Sequence, residues 1–470
     1  MNEKFDNKSD VKTLAIIGAG WYGCHLALAL RKQGHSVTLY EKNPFIFSEV
    51  SGKCGVRLHR GPHYPRSPKT RENCQRGLDQ FIETYPNLVV EHEYSIYALG
   101  NKDANGNPPK VSQEVFESVG KECKGYKPVN PVNYGYTNLL NAYSVDEPSI
   151  VVGDRLREAF TEYLKEAGVD VICNYEITSC ENKGQKTAVF NKKDSKLFDK
   201  VINTTSYQAM VSKGDFPFEV DVVYQPCVVL IYEDNNPGQN PFSFTVMDGW
   251  FPCVMPYVDE DLQKSTKRKY MLYHAKWTPL MSCPTASEAH QFINDVVDEK
   301  FIQNKLKIQF EKEIDKFWPD FKERFKYIKH QATVLPKILT NREFRSAVTY
   351  EVASGKHEGM ICMIPGKINN IFDVEREVKS LIFRQNLIET GNCRYVKGGV
   401  LDSANNELTE KVDYTKPNTC LLQSYYELVK ESPKIPIYEN SKRSTFWSHP
   451  DAKLPLSNSP PDQVPKDFNF

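Results

Sequence analysis

Residues 13 to 41, TLAIIGAGWYGCHLALALRKQGHSVTLYE, leave few folds open. LAII is an apolar run suited to a buried parallel strand. It ends in Gly18-Ala19-Gly20, with Gly23 three residues on. A helical pattern from Tyr22 to Gln33 follows, with Leu26, Leu28, Ala29 and Leu30 as apolar positions, and Gly34 closes it. HSVTLYE then alternates as a second strand and ends in Glu41. Gly18 permits a tight turn, Gly20 a close backbone approach to a pyrophosphate, and Gly23 close helix-to-strand packing. The free N–H groups at the helix start favour an anion. Glu41 suits a ribose hydroxyl and argues against a 2′-phosphate, so NADP is not expected. The expected dinucleotide grip comprises Gly18, Ala19, Gly20, Trp21, Tyr22, Gly23, Glu41 and Lys42.

The rest of the 470 residues has to be organised around that grip, and the length favours two or three domains. Lys+Arg and Asp+Glu are both 60, which removes the electrostatic argument for nucleic-acid or anionic-membrane binding. The basic run KSTKRK at 264 to 269 reads as solvated surface. Twelve cysteines occur without a CxxC pair or zinc spacing, so free buried thiols and no metal site are expected. The polar start MNEKFDNKSD and the lack of an 18-residue apolar run lead to the expectation of a soluble, cytoplasmic protein.

A second stretch, SGKCGVRLHRGPHYPRS at 51 to 67, is dense in Gly, Arg and His and poor in aliphatics. It reads as a sharply bending loop that presents polar groups, not as a buried strand. A helix over Pro68 to Tyr85 follows, with Leu78, Phe81, Ile82 and Tyr85 on its apolar face.

These residues together resemble the D-amino-acid-oxidase-like FAD-dependent oxidoreductases, the group of glycine and sarcosine oxidases and L-2-hydroxyglutarate dehydrogenase. The resemblance implies FAD; the βαβ unit by itself does not choose between FAD and NAD. It places Ser51, Gly55, Val56, Arg57, Leu58 and His59 near the flavin ring, and His63 and Tyr64 toward substrate. Later segments fit more loosely. VGDRLREAFTEYLKEAGVDVICNYEITSCE (152 to 181) reads as a helix capped by Asp154, buried through Leu156, Phe160 and Leu164 and ended by Gly168, and then a strand. In the family this strand touches the adenine side, which points to Ile177. FDKVINTTSYQA has Thr204-Thr205-Ser206 where Ala-Thr-Gly is usual. GMICMIPGKINNIFDVEREVKSLI returns to the flavin through Gly366, Lys367 and Ile368, at a helix start that favours charge at the N1/O2 edge.

The expected fold class is therefore α/β. It combines a Rossmann-type FAD-binding domain of glutathione-reductase type (11–85, 150–212 and 355–385) with an interleaved antiparallel-sheet substrate domain (86–149 and 213–354). Residues 386–470 form a C-terminal extension with a Pro-rich tail, strapped on through Phe446 and Trp447, and 420 to 432 suit one helix. Thr285-Ala-Ser-Glu288 reads as a capping box. Arg345 could grip a carboxylate bidentately; His274, Tyr273 and Tyr257 lie at strand ends. His59, His63, Tyr64 and Arg345 are the catalytic candidates, a histidine being suited to proton transfer near neutrality. The expected activity is oxidation of a C–N or C–O bond of a small amino acid, amine or 2-hydroxy acid by hydride transfer to flavin N5. Two alternatives stay open: a non-redox flavoenzyme acting on a nucleotide sugar, and a non-catalytic FAD-binding scaffold.

Overall fold

The computed structural model describes residues 11–210, 221–238, 240–340, 344–409 and 424–429. The proposed tail contacts through Phe446 and Trp447 lie outside them. The described residues fall into two compact units.

The first unit takes in the described parts of Met1–Ser48, Arg157–Glu219 and Ser346–Asn406. Its eight-stranded sheet begins with β1 (Thr13–Ile17) and β2 (Ser36–Tyr40), joined by α1 (Trp21–Lys32). Parallel strands Met360–Ile364, Lys200–Asn203, β1, β2 and Asp170–Ile172 form its centre and one edge. Antiparallel strands Val348–Val352, Cys393–Val396 and Leu387–Glu389 extend the other edge. β1 is apolar at every position from Leu14 to Ile17 and buried there, as a strand covered on both faces must be. α1 packs beside the helix Ile371–Ile382, where His25 meets Glu375 at 2.9 Å and the ring of Phe372 at 5.0 Å. A three-stranded antiparallel meander, Ser179–Lys183, Lys186–Phe190 and Ser195–Phe198, sets Phe198 against Tyr40 of the sheet.

The second unit takes in the described parts of Glu49–Leu156, Val220–Arg345 and Glu407–Phe470. Its eight-stranded sheet is antiparallel except where Ser243–Met247 runs parallel to Ser95–Gly100. Side chains alternate across it. Leu230, Phe244, Val254 and Leu272 face a helical layer that supplies Phe292, Leu306, Phe310 and Ile314. Helix Ala286–Val296 opens as expected, with Thr285 Oγ1 accepting the Glu288 N–H. Tyr425, on the short helix Ser424–Val429 within the expected 420 to 432, packs against Phe292.

The compact units divide the chain differently from the expected domains. Residues 49–85 group with the second unit, because Val56–Arg57 pairs with Ser149–Ile150. Residues 386–406 join the first unit, because two of their segments become sheet strands. The loop 51–67 is accordingly not wholly irregular: it opens with a short helix, Val50–Lys53, and that two-residue strand. Helix Pro68–Thr84 matches the expectation. Helix Gly153–Glu166 starts two residues early, so Asp154 lies in its first turn instead of capping it.

Among the described residues no helix is long and apolar enough to cross a membrane. The described cysteines form no disulfide.

Glu377, on the helix Ile371–Ile382, is 6% exposed and accepts the Val400 N–H at 2.6 Å. Burial pushes its carboxyl up to about 7. The native state therefore keeps this proton while the unfolded chain, at an ordinary pKa of about 4.3, has lost it. Stability falls as pH rises across that window. Glu377→Gln is expected to flatten this part of the Tm-against-pH curve, read by thermal melts between pH 4 and 8.

Candidate active site

The first unit contains the grip. Gly18 has φ of +102°, and a Cβ there would lie 2.9 Å from the carbonyl oxygen of Thr204. A Cβ on Gly23 would lie 1.9 Å from the Gly18 oxygen. Both glycines are thus required by close approach, not only by turn shape. Thr204 closes the turn: its N–H donates to Ile17 O at 2.9 Å and its hydroxyl reaches Gly18 O at 2.8 Å. Ser206 has φ of +56°, so it adopts the left-handed conformation natural to the glycine of the resembling family.

Glu41 is 8% exposed at the end of β2. One carboxylate oxygen accepts the Ala19 N–H at 2.9 Å, and the other accepts both N–H groups of Asn43. A carboxylate has about four acceptor positions, so a ribose hydroxyl can still be served. Lys42 is exposed beside it. Tyr175 N–H donates to Glu41 O at 2.9 Å, which brings the segment carrying the buried Ile177 to the same strand end.

Two grip residues act differently from a simple cofactor contact. The Trp21 ring packs edge-on against Phe47 and Phe160 in the core. The Tyr22 hydroxyl donates to Lys367 O at 2.7 Å and accepts the Gly366 N–H at 3.2 Å. Tyr22 thereby ties α1 to the loop before Ile368, and burial pushes its phenol well up. Gly366 is pinned too, since a Cβ there would lie 2.2 Å from Ala347 N. A cavity of about 460 Å³, lined by Phe45, Ile46, Arg157, Leu164 and Cys173 among others, contains none of the expected site residues.

The second unit gathers the catalytic candidates. His59 and His63 stack at 4.9 Å between ring centroids, and Tyr64 stands edge-on to both at 5.2 and 5.1 Å. Burial raises the Tyr64 phenol and Cys74 adds to this, while the charge of Arg345 opposes it.

Beneath lies a polar row that strand register creates. Tyr97, Thr245, Cys253 and Tyr273 are consecutive cross-strand partners on one sheet face. Arg57, 4% exposed, lies over this row, with Nη1 donating to the Tyr97 hydroxyl at 3.0 Å and Nη2 to Cys253 Sγ at 3.0 Å. Its Nε is 3.4 Å from Glu147 Oε1. Glu147, 2% exposed, accepts the Arg60 N–H at 2.7 Å and a short hydrogen bond from Tyr97, and lies 3.5 Å from His59 Nδ1. His92 bridges Ser95 at 2.8 Å and Ser149 at 2.9 Å, and burial, aided by Arg57, pushes it down to about 3.

Sequence reasoning missed Glu147, Tyr97 and His92. The only signal was indirect: a buried arginine needs a carboxylate, and nothing marks one acid among 60 acidic residues. Of the strand-end candidates, Tyr273 joins the Arg57 row, and Tyr257 shares that face and accepts from Gln331 at 3.3 Å. His274 does not. One residue along the strand, it points to the helical layer near Trp277 and Phe310, with Nδ1 accepting the Lys276 N–H. It is a core histidine, pushed well down by burial.

A family model described as FAD dependent oxidoreductase matches residues 13–270. The FAD-dependent monooxygenase kojA of Aspergillus flavus is 41% identical over 427 residues, covering 88% of this chain and 97% of that protein. The chain belongs to the FAD-dependent oxidoreductases. Its fold is also that of NikD, an amino acid oxidase essential for nikkomycin biosynthesis, with a TM-score of 0.60 at 12% identity over 80% of this chain and 94% of the other. Glycine oxidase from Geobacillus kaustophilus gives 0.58 at 12% identity over 86% and 100%. An oxidoreductase of this family sets aside the nucleotide-sugar and scaffold alternatives.

The grip of this oxidoreductase fits FAD. Its glycines let the turn pack tightly against the start of α1, α1 begins there with no acidic residue in its first turn, and Glu41 closes the far end. Gly23→Ala forces backbone against backbone and is expected to cost about 3 kcal/mol, the upper range of overpacking. The check is Tm together with flavin content per protein, both of which should fall. Tyr22→Phe removes a two-bond bridge and should cost about 1–2 kcal/mol, measured by denaturant unfolding.

Proposed function

We propose that this oxidoreductase oxidises a C–O or C–N bond of a small 2-hydroxy acid, amino acid or amine. The observation that carries this is the His59, His63 and Tyr64 ring cluster, with Glu147 behind His59 and the charge of Arg345 felt at Tyr64. Arg345 is assigned to a substrate carboxylate, which it can hold with two parallel hydrogen bonds. His59 takes the hydroxyl or amine proton. A nearby carboxylate stabilises the imidazolium so formed, and ring nitrogens titrate in the range where such transfer is efficient. Tyr64, kept neutral by burial, can donate to substrate oxygen, and His63 holds the His59 ring by stacking.

Cofactor binding is assigned to the grip. The first N–H groups of α1, with Gly18, Ala19, Gly20 and Gly23, receive the pyrophosphate. Glu41 and Lys42 take the ribose side, and Ile177 the adenine side. Thr204 and Tyr22 shape the turns, and Gly366, Lys367 and Ile368 offer N–H groups to the flavin. Ser51 and Leu58 are assigned flavin contact, while the Arg57 side chain holds its loop in place. The chemistry supplied by bound FAD is acceptance of the electron pair removed from the substrate.

A second reading rests on the 41% identical relative, whose name describes a monooxygenase. Under it, one oxygen atom of O₂ enters the product and the other leaves as water, with the two electrons supplied by an external reductant such as a reduced nicotinamide. Turnover under ¹⁸O₂ separates the two: labelled product supports the second, and unlabelled product with hydrogen peroxide supports the first.

The test is anaerobic addition of 2-hydroxy acids, amino acids and amines to the purified enzyme, followed by flavin absorbance. One class should bleach the flavin. His59→Gln is expected to slow that bleaching about 10²–10⁴-fold, the usual worth of a positioned acid–base group, with flavin content unchanged. Bleaching at the wild-type rate would remove His59 from the chemistry.

A further inference from the structure

The second unit contains a buried acid that the proposed chemistry does not itself consume. Glu147 sits in the segment Val145-Asp146-Glu147-Pro148, where the chain leaves one strand and enters the strand Ser149–Ile150. That strand pairs with Val56–Arg57, and Leu58 N–H donates to Pro148 O at 3.0 Å. The backbone of the histidine loop is therefore stitched to the backbone that directly follows Glu147. A carboxylate held in this way has a fixed position relative to His59.

Its surroundings define its charge. Two hydrogen bonds reach the carboxylate, from the Arg60 N–H and the Tyr97 hydroxyl, and two further nitrogens stand at ion-pair distance, Arg57 Nε at 3.4 Å and His59 Nδ1 at 3.5 Å. Tyr97 is kept a neutral donor, its phenol pushed well up by burial against the opposing pull of Arg57. Arg57 is wholly enclosed and permanently charged, so a neutral acid opposite it would leave a buried cation unpaired, a costly arrangement. The charges and titratable groups around His59 are Arg57, Arg60, His63 and Tyr64 from its own loop, Tyr97 from the sheet, and Glu147, with the charge of Arg345 felt at Tyr64. Glu147 is the one acid that meets the His59 ring among the described contacts, and every other charge in this set is positive.

We propose that Glu147 is a positioning residue for His59: it holds the ring with Nδ1 protonated and directed at the carboxylate, and sets the proton affinity of Nε2. Carboxylate–imidazole pairs act in this manner by fixing tautomer and stabilising the charged ring. Tyr97 through its hydrogen bond and Arg57 through its charge 3.4 Å away tune the effect, since each draws the negative charge of Glu147 away from His59. This deepens the proposed role of His59 as proton acceptor and rests on it for its meaning in catalysis, yet its test needs no substrate.

The experiment is ring ¹⁵N NMR of histidine-labelled holoenzyme, with His59 resonances identified by their loss in His59→Gln. The wild type should show Nδ1–H as the neutral tautomer. Glu147→Gln should lower the His59 titration midpoint by about one pH unit, a tenfold loss of proton affinity and the low end of what one close opposite charge supplies. Tyr97→Phe leaves both charges in place, so it reports even if Glu147→Gln does not fold; it should move the midpoint the other way. A His59 midpoint unmoved in folded Glu147→Gln, or unmoved in Tyr97→Phe, overturns the proposal. If the midpoints move as stated but His59→Gln still bleaches the flavin at the wild-type rate, the coupling stands and the proton-acceptor role fails.

Discussion

A carboxylate sealed from water must be surrounded by donors, and Glu147 organises its part of the molecule by that requirement. Arg57 would be untenable in the core without it. With it, the guanidinium can lie across a sheet face, bond to Tyr97 and Cys253, and hold the loop that carries His59, His63 and Tyr64. The pair has little to offer as net stability, because taking two charges out of water costs about what their attraction returns. What it supplies is definition: a glycine-rich loop, with many conformations open to it, is restricted to one.

The grip relies on a different constraint, steric rather than electrostatic. Gly18, Gly23 and Thr204 are packed so closely that no side chain can be added at either glycine. Thr204 donates to the turn on one side, and Ser206 two residues on takes a left-handed backbone. A non-glycine residue there carries a cost of about 1 kcal/mol. The turn keeps its shape because the strands Lys200–Asn203 and β1 determine both its ends. Tyr22 extends the same locking to the loop at Gly366.

Strand alternation decides which polar residues face which layer. Tyr273 and His274 are neighbours in sequence, and both looked like candidates for a cleft. One strand residue reverses direction, so Tyr273 joins the polar row over which Arg57 lies, and His274 is enclosed by aromatic rings. Burial then lowers its proton affinity, as it does for His92, and both are kept neutral.

Local order along the chain was enough to determine the βαβ unit, its glycines, Glu41 and the helix ending at Gly168. Each depends on periodicity, a turn residue or an apolar run, all short-range properties. The loop 51–67 was legible as a presenter of polar groups, since its composition cannot form a core. Only the tertiary structure decided what those groups meet. Glu147 comes from 88 residues beyond His59, and Tyr97 and Cys253 from strands set side by side by register. Pairing of that kind is long-range, and one buried acid looks like any other until the chain has folded. The same reason explains residues 386–406, whose short strands gain their meaning only from the sheet edge they complete.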